Sequence, residues 1–550
     1  MPIKYYIPLL ILLFNSSSHS TSDSINIFIR INQVGYLTDG IKSGIIFSED
    51  RLDFDSCYIH SVINDQAVYA AEINFLPNDS LKYGFRSFGY FDFSAIKSEG
   101  EFYIKYKNTC SYTFKIGNHI YNDVTDSLLK FFEVQRCGPT NPYLHGVCHL
   151  SDVTSINNIP VAGIKDLTGG WHDAGDYVKF LSTTAYTTYL LMFCYEFDPV
   201  KFGFDHNGNG VPDVLDEARI GIDWLLRCNF VDDSLIVQVQ DSSEHLVTWR
   251  MPEDDPLEFK RTGFTGIGKN IIGIYSAALA LASKIWMNVV KIDSLSQICF
   301  NVSKKFYDLR NLVDDIDTLH STHYIDKEFE GKLGLAAVEL YEVTGEEHYL
   351  SDAVEYCIAA GADYWWSWGN INSLAHYKVA RHDVTTLRFI RESLDYYKKN
   401  MKQNLFGEPL SYSWGSTNSF LGTALTEILY RSISGDDSFQ MISVAQRDFI
   451  LGKNLWGKSF ITGSGDNFPM NIHSQIAYIN FCSIPGAVVG GPAPLELMNK
   501  LEISNSKNLL PQFDYHSIVY SDDHLNYITN EATITGNATA LFVFGYFSGR

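Results

Sequence analysis

Residues 168–180 read Thr-Gly-Gly-Trp-His-Asp-Ala-Gly-Asp-Tyr-Val-Lys-Phe and lead into a long helical region. They place two carboxylates, Asp173 and Asp176, three residues apart, with only Ala and Gly between them. Such small residues permit a tight turn and leave space for a ligand. The flat side chains of Trp171 and Tyr177 flank the pair and suit a sugar ring. Paired Asp in a glycine-containing loop also caps helices or binds Ca²⁺, so this stretch alone leaves catalysis and structure open.

Composition limits the possible partners. The 550 residues include 42 Lys and Arg against 64 Asp and Glu, a net charge of −22. An acidic surface disfavours nucleic acid and anionic membranes, so we expect neither as a partner. Nine Cys spread along the chain do not form the pattern of a disulfide scaffold.

The N-terminus has the pattern of a signal peptide. Lys4 precedes an apolar run over residues 5–14, and small polar residues follow. The run is too short to span a bilayer. We therefore predict a signal peptide over residues 1–20 and a secreted or periplasmic protein with no membrane anchor. We expect it to be a monomer.

Two regions with different periodicity follow. Residues 24–117 alternate apolar and polar side chains, as at Phe102, Ile104 and Tyr106, and predict about seven short strands in a small β-sandwich that braces its neighbour.

Residues 120–550 are predicted to be helical, with almost no strand signal. Ten helices are predicted at Thr183–Phe197, Asp213–Asn229, Asn270–Val290, Ser294–Leu312, Glu328–Thr344, Glu347–Ala362, Val384–Lys399, Ser419–Ser434, Ser438–Leu451 and Asn530–Phe547. This count predicts a mainly α protein whose helical hairpins close into an (α/α)6 barrel.

Four residues near the opening stretch suit a structural zinc ion. Cys137, the adjacent Cys148 and His149, and His172 offer two thiolates and two imidazoles for a tetrahedral site. Their spacing is not that of a zinc finger, and buried cysteines with a Cys137–Cys148 disulfide are the alternative. A zinc ion here would restrict where the neighbouring Asp173 points.

A second segment matches a twelve-residue calcium loop. Oxygen donors recur at the expected positions around a central Gly, and only one such loop occurs, which excludes a calmodulin-like sensor. The alternative is a polar turn followed by a helix that Asp213 caps. The candidate calcium ligands are Asp205, Asn207, Asn209, Val211, Asp213 and Asp216.

The C-terminal part adds a carboxyl group in apolar surroundings. Glu531 lies near a predicted helix start beside Tyr527, Ile528 and Ala532. Such surroundings raise the pKa of a carboxyl group and keep it protonated as a general acid. A Glu in a first helical turn also simply complements the helix dipole, which is the alternative.

With these motifs the chain resembles glycoside hydrolase family 9, the inverting β-glucanases and cellulases, in the branch with an N-terminal immunoglobulin-like domain. Gly169–Lys179 matches the Asp-Ala-Gly-Asp segment of that family, and Tyr520–Ala538 matches its acid-bearing segment. Residues 459–473 match a third segment, and Asn32–Tyr36 resembles the start of the sandwich domain. The resemblance covers about residues 25–550.

The resemblance implies roles for individual residues. Asp176 would be the general base that activates water, Asp173 would hold the same water or orient Asp176, and Glu531 would protonate the leaving oxygen. Inversion requires the acid and the base to stand roughly 6.5–9.5 Å apart. In the substrate-binding set, His473 would hydrogen-bond the sugar, and Tyr520 and Asp522 would support Glu531. The resemblance also supports both metal sites, and we expect no organic cofactor.

One position departs from the family pattern. That pattern ends His-x-Arg, whereas this chain has Gln475 two residues after His473. A permanently charged, bidentate donor is thereby replaced by a neutral amide. Gln475 either still bonds the substrate or changes the specificity near the scissile bond. Trp249 and Trp368 are further candidates, for stacking on sugar rings, with core packing as the alternative.

The sequence therefore predicts a secreted endo-β-1,4-glucanase that cleaves cellulose-like or other soluble β-glucans with inversion. An exo-acting β-glucosidase or glucosaminidase of the same family is one alternative. A non-catalytic polysaccharide-binding protein on the same scaffold is another, although it would not need Asp173, Asp176 and Glu531 together. A polysaccharide lyase would need a Tyr or His base and basic groups, which the acidic composition disfavours.

Overall fold

A computed structural model describes residues 26–77, 84–160, 165–231, 233–317, 326–501, 503, 513 and 517–550. The predicted signal peptide lies outside these residues and remains a prediction. Within the described chain, strands come first and helices follow.

The N-terminal strands form one nine-stranded sheet that folds into two layers. Its strand order is β1-β3-β6-β5-β4-β7-β9-β2, with β8 paired to β7. The long strand β5 joins the layers because its first part pairs with β4 and its last residues pair with β6. Ile46, Ile59, Phe91 and Ile104 meet in the core between them. The strands are β1 Ile27–Arg30, β2 Gly35–Tyr36, β3 Ser43–Ser48, β4 Ser56–Ser61, β5 Ala67–Phe75, β6 Ser87–Asp92, β7 Gly100–Tyr106, β8 Thr109–Cys110 and β9 Phe114–Ile116.

The helices that follow build a closed double ring. They are α1 Asn122–Gln135, α2 Leu181–Phe197, α3 Pro199–Phe202, α4 Asp213–Arg227, α5 Lys269–Ile285, α6 Asp293–Asp308, α7 Glu330–Thr344, α8 Glu347–Ala360, α9 Asn372–Ala380, α10 Leu387–Met401, α11 Ser416–Ser434, α12 Met441–Ile450, α13 Gln475–Asn480, α14 Leu495–Lys500, α15 Tyr527–Asn530 and α16 Ile534–Phe547. The inner ring runs α2, α5, α7, α9, α11 and α16, and α16 returns to α2. The outer partners are α1, α4, α6, α8, α10 and α12. The predicted (α/α)6 barrel behind a small β domain is confirmed.

Two of the twelve barrel helices, α1 and α9, were not predicted from the sequence. Every residue of α9 is buried, so it has no polar face and no amphipathic period. In α1, by contrast, the buried positions recur at helical spacing, at Val124, Leu128, Leu129 and Phe132. The sequence pattern could therefore have predicted this helix. The predicted helix at residues 530–547 begins only at Ile534, so Glu531 precedes it.

Short strands at the rim were also not predicted. They form a five-stranded sheet in the order β11-β10-β14-β13-β12. The strands are β10 Ser155–Ile156, β11 Ile159–Pro160, β12 Lys179–Phe180, β13 Leu235–Gln240 and β14 Thr262–Gly266, and a separate pair joins β15 Ala493–Pro494 to β16 Ile518–Val519. Because β12 follows Asp176 by three residues and pairs with β13, this sheet anchors the carboxylate-bearing loop.

One helix of the described chain, Lys269–Val290, is long and apolar enough to cross a membrane. Within its apolar window, 89% is buried inside the protein. That burial is what an inner barrel helix requires, because it packs against neighbours on every side.

Two buried polar residues of the β domain, Asn32 and Gln33, bond to the barrel. Nδ2 of Asn32 donates to Oδ1 of Asp448 at 2.9 Å. The amide of Gln33 donates to the carbonyl of Gly457 at 2.8 Å and accepts from the N–H groups of Asp466 and Asn467 at 3.1 and 2.8 Å. Since both side chains are buried, the β domain holds the loop that leads towards His473.

A cluster of buried charges closes the barrel at the far end from Asp176. Nζ of Lys378 lies 2.8 Å from Glu196, 3.0 Å from Glu339 and 2.8 Å from Glu342, and Lys284 contacts the same carboxylates. Although burial opposes ionisation, the two lysines lower the pKa of Glu196 and Glu342. The charged residues lie on four inner helices, α2, α5, α7 and α9, and hold their ends together. Removing one partner of such a buried pair lowers the free energy of unfolding by about 3–5 kcal/mol.

Candidate active site

The main chain of Gly175 joins the two halves of the site. Its N–H donates to Oε1 of Glu531 at 3.1 Å, and its carbonyl accepts from the N–H of Gln475 at 3.1 Å. A Cβ at this position would lie 2.2 Å from the carbonyl oxygen of His473. Glycine is therefore required for contact with the C-terminal segment, in addition to the tight turn expected from the sequence.

Glu531 is an extended residue between α15 and α16, and its strand-like bridge to His473 fixes its direction. Its side chain is only 11% exposed. Burial, and then the negative charge of Asp176 and Asp173, raise the pKa of Glu531 well above its ordinary value, against the opposing Gly175 bond. The structure thus brings together the three carboxyl groups that the sequence singled out, and it favours a protonated Glu531.

Asp173 and Asp176 occupy different environments. Asp173 is 2% exposed, and its main chain bonds Val178 and Ile534, the first residue of α16. Asp176 is more exposed, at 21% of its side chain, and Nδ1 of His245 lies 3.7 Å from its Oδ2. The more accessible carboxylate is the one better placed to handle water.

His473 presents one ring nitrogen to Glu531. Nδ1 donates to the carbonyl of His524 at 2.7 Å, which leaves Nε2 as an acceptor 3.8 Å from Oε1 of Glu531. Burial lowers the pKa of His473, so the neutral ring is favoured. A sugar hydroxyl is a suitable donor to this nitrogen.

Tyr520 and Asp522 lie behind Glu531. Tyr520 is buried and donates to Oδ1 of Asn530 at 2.8 Å. Asp522 accepts from the N–H of Asn471 at 2.9 Å and pairs with Lys458 at 2.9 Å. Their contacts are those of residues that support the Glu531 segment.

Gln475 is held by the protein. It is 5% exposed, and its Oε1 accepts from the N–H of Arg250 at 3.1 Å. The amide oxygen therefore joins two chain segments. Substrate bonding through this oxygen would compete with that contact.

Aromatic rings form a row beside Glu531. Ring centroids are 5.2 Å apart for Trp249 and His473, 5.8 Å for His473 and Tyr527, and 5.4 Å for Tyr527 and Trp414. Trp414 is 45% exposed. Trp249 thus lies at the site, while Trp368 packs against the main core and its sugar contact remains a prediction.

The aromatic pair of the opening stretch has a different location from the one expected. Trp171 is fully buried and donates to Oε1 of Glu217 at 2.7 Å. Tyr177 is 1% exposed and donates to the carbonyl of Arg250. The expectation that these two rings face a sugar is wrong, since both belong to the core.

The four predicted zinc ligands converge. All are buried, and their ligand atoms lie within 4.8 Å of one another. Nε2 of His172 is 3.3 Å from Nδ1 of His149, which is 3.6 Å from Sγ of Cys137, and Sγ of Cys148 is 3.9 Å from Nε2 of His172. Tetrahedral zinc with two sulfur and two nitrogen ligands has edges of about 3.3–3.8 Å, so the set fits. All described cysteines are free, which contradicts the disulfide alternative.

The predicted calcium loop is held by hydrogen bonds between its own residues. Asp205 accepts from the N–H groups of Gly208 and Gly210 at 2.7 and 2.8 Å, and Oδ2 of Asp216 accepts from Nδ2 of Asn207 at 3.0 Å. Among the described residues, the carboxylates of Asp205, Asp213 and Asp216 do not form a group whose ligand atoms all lie within 4.8 Å of one another. Asp213 is the first residue of α4 and does not cap it. Calcium remains a prediction.

The sequence analysis did not predict a group of buried charged residues between positions 244 and 255. Glu244 is 2% exposed, and burial followed by the charge of Asp176 raises its pKa. Nη2 of Arg250 lies 3.0 Å from Oε1 of Glu244, and its Nε lies 2.7 Å from Oδ1 of Asp255. Charged residues on both sides of Trp249 were the available signal.

Two known proteins are similar to this chain over most of its length. Endoglucanase D of Acetivibrio thermocellus is 24% identical over 561 residues, which cover 94% of this chain and 83% of that protein. Xyloglucan-specific endo-beta-1,4-glucanase BoGH9A of Bacteroides ovatus is 24% identical over 581 residues, covering 94% of this chain and 93% of that protein.

A solved structure and two family models extend the likeness. The crystal structure of a metagenome-derived glycoside hydrolase family 9 endoglucanase matches with a TM-score of 0.81 and 25% identity, covering 95% of this chain and 99% of that one. The model for a cellulase N-terminal ig-like domain matches residues 27–111. The model for glycosyl hydrolase family 9 matches residues 121–544, well over half of the chain. This protein belongs to glycosyl hydrolase family 9.

Proposed function

We propose that the protein is an endo-acting β-1,4-glucanase that inverts the anomeric configuration. The observation that carries the proposal is the Gly175 contact, which holds a buried Glu531 with a raised pKa against the loop of Asp173 and Asp176. A pure binding protein has no use for a carboxyl group kept protonated beside two others.

The chemistry follows from these positions. Oε1 of Glu531 accepts the Gly175 N–H, so the acidic proton belongs on Oε2. Glu531 passes this proton to the glycosidic oxygen as the bond to C1 breaks. A water molecule attacks C1 from the opposite face and gives its proton to Asp176, while Asp173 orients that water or Asp176.

The aromatic row supports a glucan chain as substrate. It extends from His473 to Trp249 on one side and through Tyr527 to Trp414 on the other. If these rings stack on sugars on both sides of His473, the site would suit internal cleavage. The names of the two relatives, an endoglucanase and a xyloglucan-specific endo-beta-1,4-glucanase, agree with internal cleavage of a β-glucan. The N-terminal pattern of residues 1–20 supports export.

We further propose a structural zinc ion bound by Cys137, Cys148, His149 and His172. The ligand atoms have tetrahedral spacing, and Asp255 contacts His149 at 3.1 Å, as an outer carboxylate commonly does for a metal-bound imidazole. The ion would tie the segment of Cys137, Cys148 and His149 to His172, the residue directly before Asp173. It supplies no chemistry to the sugar.

The pH dependence tests the role of Glu531. As the pH rises through its pKa, Glu531 loses the proton that it must donate, so kcat/KM falls. Because that pKa is raised, we expect the alkaline limb well above the ordinary value of about 4.3 for Glu. Initial rates on carboxymethylcellulose between pH 4 and pH 9 measure it. A limb close to the ordinary value contradicts the assignment.

Two isosteric variants separate the acid from the base. Asp176→Asn and Glu531→Gln should each lower kcat on a β-glucan by about 10²–10⁴-fold. On a 2,4-dinitrophenyl cellobioside, whose leaving group needs no proton, Glu531→Gln should recover most of its rate and Asp176→Asn should not. Glu355→Gln, on the exposed face of α8, is the control. Near-normal glucan cleavage by either variant refutes the role of the residue that was replaced. A parallel viscosity assay reports whether the wild-type protein cleaves the glucan internally.

Metal analysis tests the zinc proposal. We expect one zinc per chain, and we expect Cys137→Ser to lose it together with thermal stability, because a ligand is removed from a buried site. The buried Cys299 lies outside the site, so Cys299→Ala is the matched control and should retain the metal. A metal-free wild-type protein of undiminished stability would rule the site out.

A further inference from the structure

Arg250 connects three parts of the site. Its guanidinium is 7% exposed and lies between two buried carboxylates. Nε and Nη2 donate to the two oxygens of Asp255 at 2.7 and 3.1 Å, and Nη2 also lies 3.0 Å from Oε1 of Glu244. One planar group therefore holds two acids in a fixed relation.

Asp255 is the link to the proposed zinc ligands. Its Oδ2 contacts Nε2 of His149 at 3.1 Å, and both side chains are fully buried. With its other nitrogen directed at Cys137 and His172, His149 depends on Asp255 for its ring orientation and tautomer. Arg250 in turn fixes both oxygens of Asp255.

Glu244 and the main chain of Arg250 are the link to the base. Oε1 of Glu244 accepts from the N–H of Tyr177 at 3.4 Å, directly after Asp176. The hydroxyl of Tyr177 donates to the carbonyl of Arg250. Both contacts restrict the residue that follows the proposed base.

Gln475 is the link to the acid-bearing side. The N–H of Arg250 donates to Oε1 of Gln475 at 3.1 Å, and the N–H of Gln475 donates to the carbonyl of Gly175 at 3.1 Å. Gly175 in turn bonds Glu531. Through its main chain and its side chain, Arg250 reaches the zinc ligands, the base loop and the acid.

We propose that Arg250 is a positioning residue that couples the zinc centre to the catalytic carboxyl groups. It orients His149 through Asp255 and places Asp176 through Glu244 and Tyr177. The proposal rests on the proposed function and on the zinc site. It assigns to Gln475 the role of holding Arg250, at the position where the family pattern has an Arg.

Arg250→Lys tests the coupling, because a lysine keeps the charge but cannot bond both acids. We expect zinc release to a chromogenic chelator to accelerate by about tenfold or more, and kcat to fall by about 10–100-fold with KM within about twofold. Arg219→Lys, in the exposed pair with Asp223 on α4, is the matched control and should change neither. Unchanged zinc release or unchanged kcat in Arg250→Lys overturns the proposal.

A double-mutant cycle tests whether the two acids communicate through Arg250. Asp255→Asn should accelerate zinc release, and Glu244→Gln should lower kcat. Their effects on kcat should be non-additive with Arg250 present and additive in the Arg250→Lys background. Additive effects in both backgrounds overturn the coupling. If Arg250→Lys does not fold, non-additivity of the other two variants is the deciding result.

The two readouts keep the proposals apart. Zinc release does not require activity, so a chain without glucanase activity would refute the proposed function, and faster release from Arg250→Lys would still support the orientation of His149. An active glucanase in which Arg250→Lys leaves either zinc release or kcat unchanged would refute the coupling alone.

Discussion

The site depends on a main-chain contact at one glycine. Gly175 donates to Glu531 and accepts from Gln475, and its lack of a Cβ lets the His473 segment approach. The contact between Gly175 and Glu531 brings together residues 356 positions apart in the chain. A side chain here would separate the acid from the carboxylates that tune it.

The electrostatics follow from this closeness. Glu531 is buried beside the negative charges of Asp176 and Asp173, so its pKa is raised and its protonated form is favoured. The barrel, the rim sheet and the two buried residues Asn32 and Gln33 provide the rigidity that such an arrangement needs. A buried carboxyl group of raised pKa lowers the free energy of unfolding as the pH rises above the ordinary pKa of Glu. The same raised pKa keeps the group protonated, which makes it a proton donor.

The sequence singled out carboxyl groups and candidate metal ligands that the structure brings together, but not the residues that support them. Asp173, Asp176 and Glu531, and the four proposed zinc ligands, could be singled out because their residue types suggest chemistry and because their motifs resemble those of the family. Helix α9 has no polar face, so periodicity cannot reveal it. Arg250 could not be recognised because its role depends on partners at residues 177, 244, 255 and 475, which only the fold brings together. Trp171 and Tyr177 were assigned to the wrong environment because an aromatic ring in a core and one in a cleft look alike in sequence.

The anomer of the first product shows whether Asp176 and Glu531 act as an inverting pair. If Glu531 and Asp176 act from opposite sides of the bond with a water molecule between Asp176 and C1, a β-linked cello-oligosaccharide must yield the α-anomer first. Proton NMR within the first minutes, before mutarotation, distinguishes the two. We expect an initial α-anomer signal that later equilibrates with the β-anomer, whereas an initial β-anomer signal would rule out inversion.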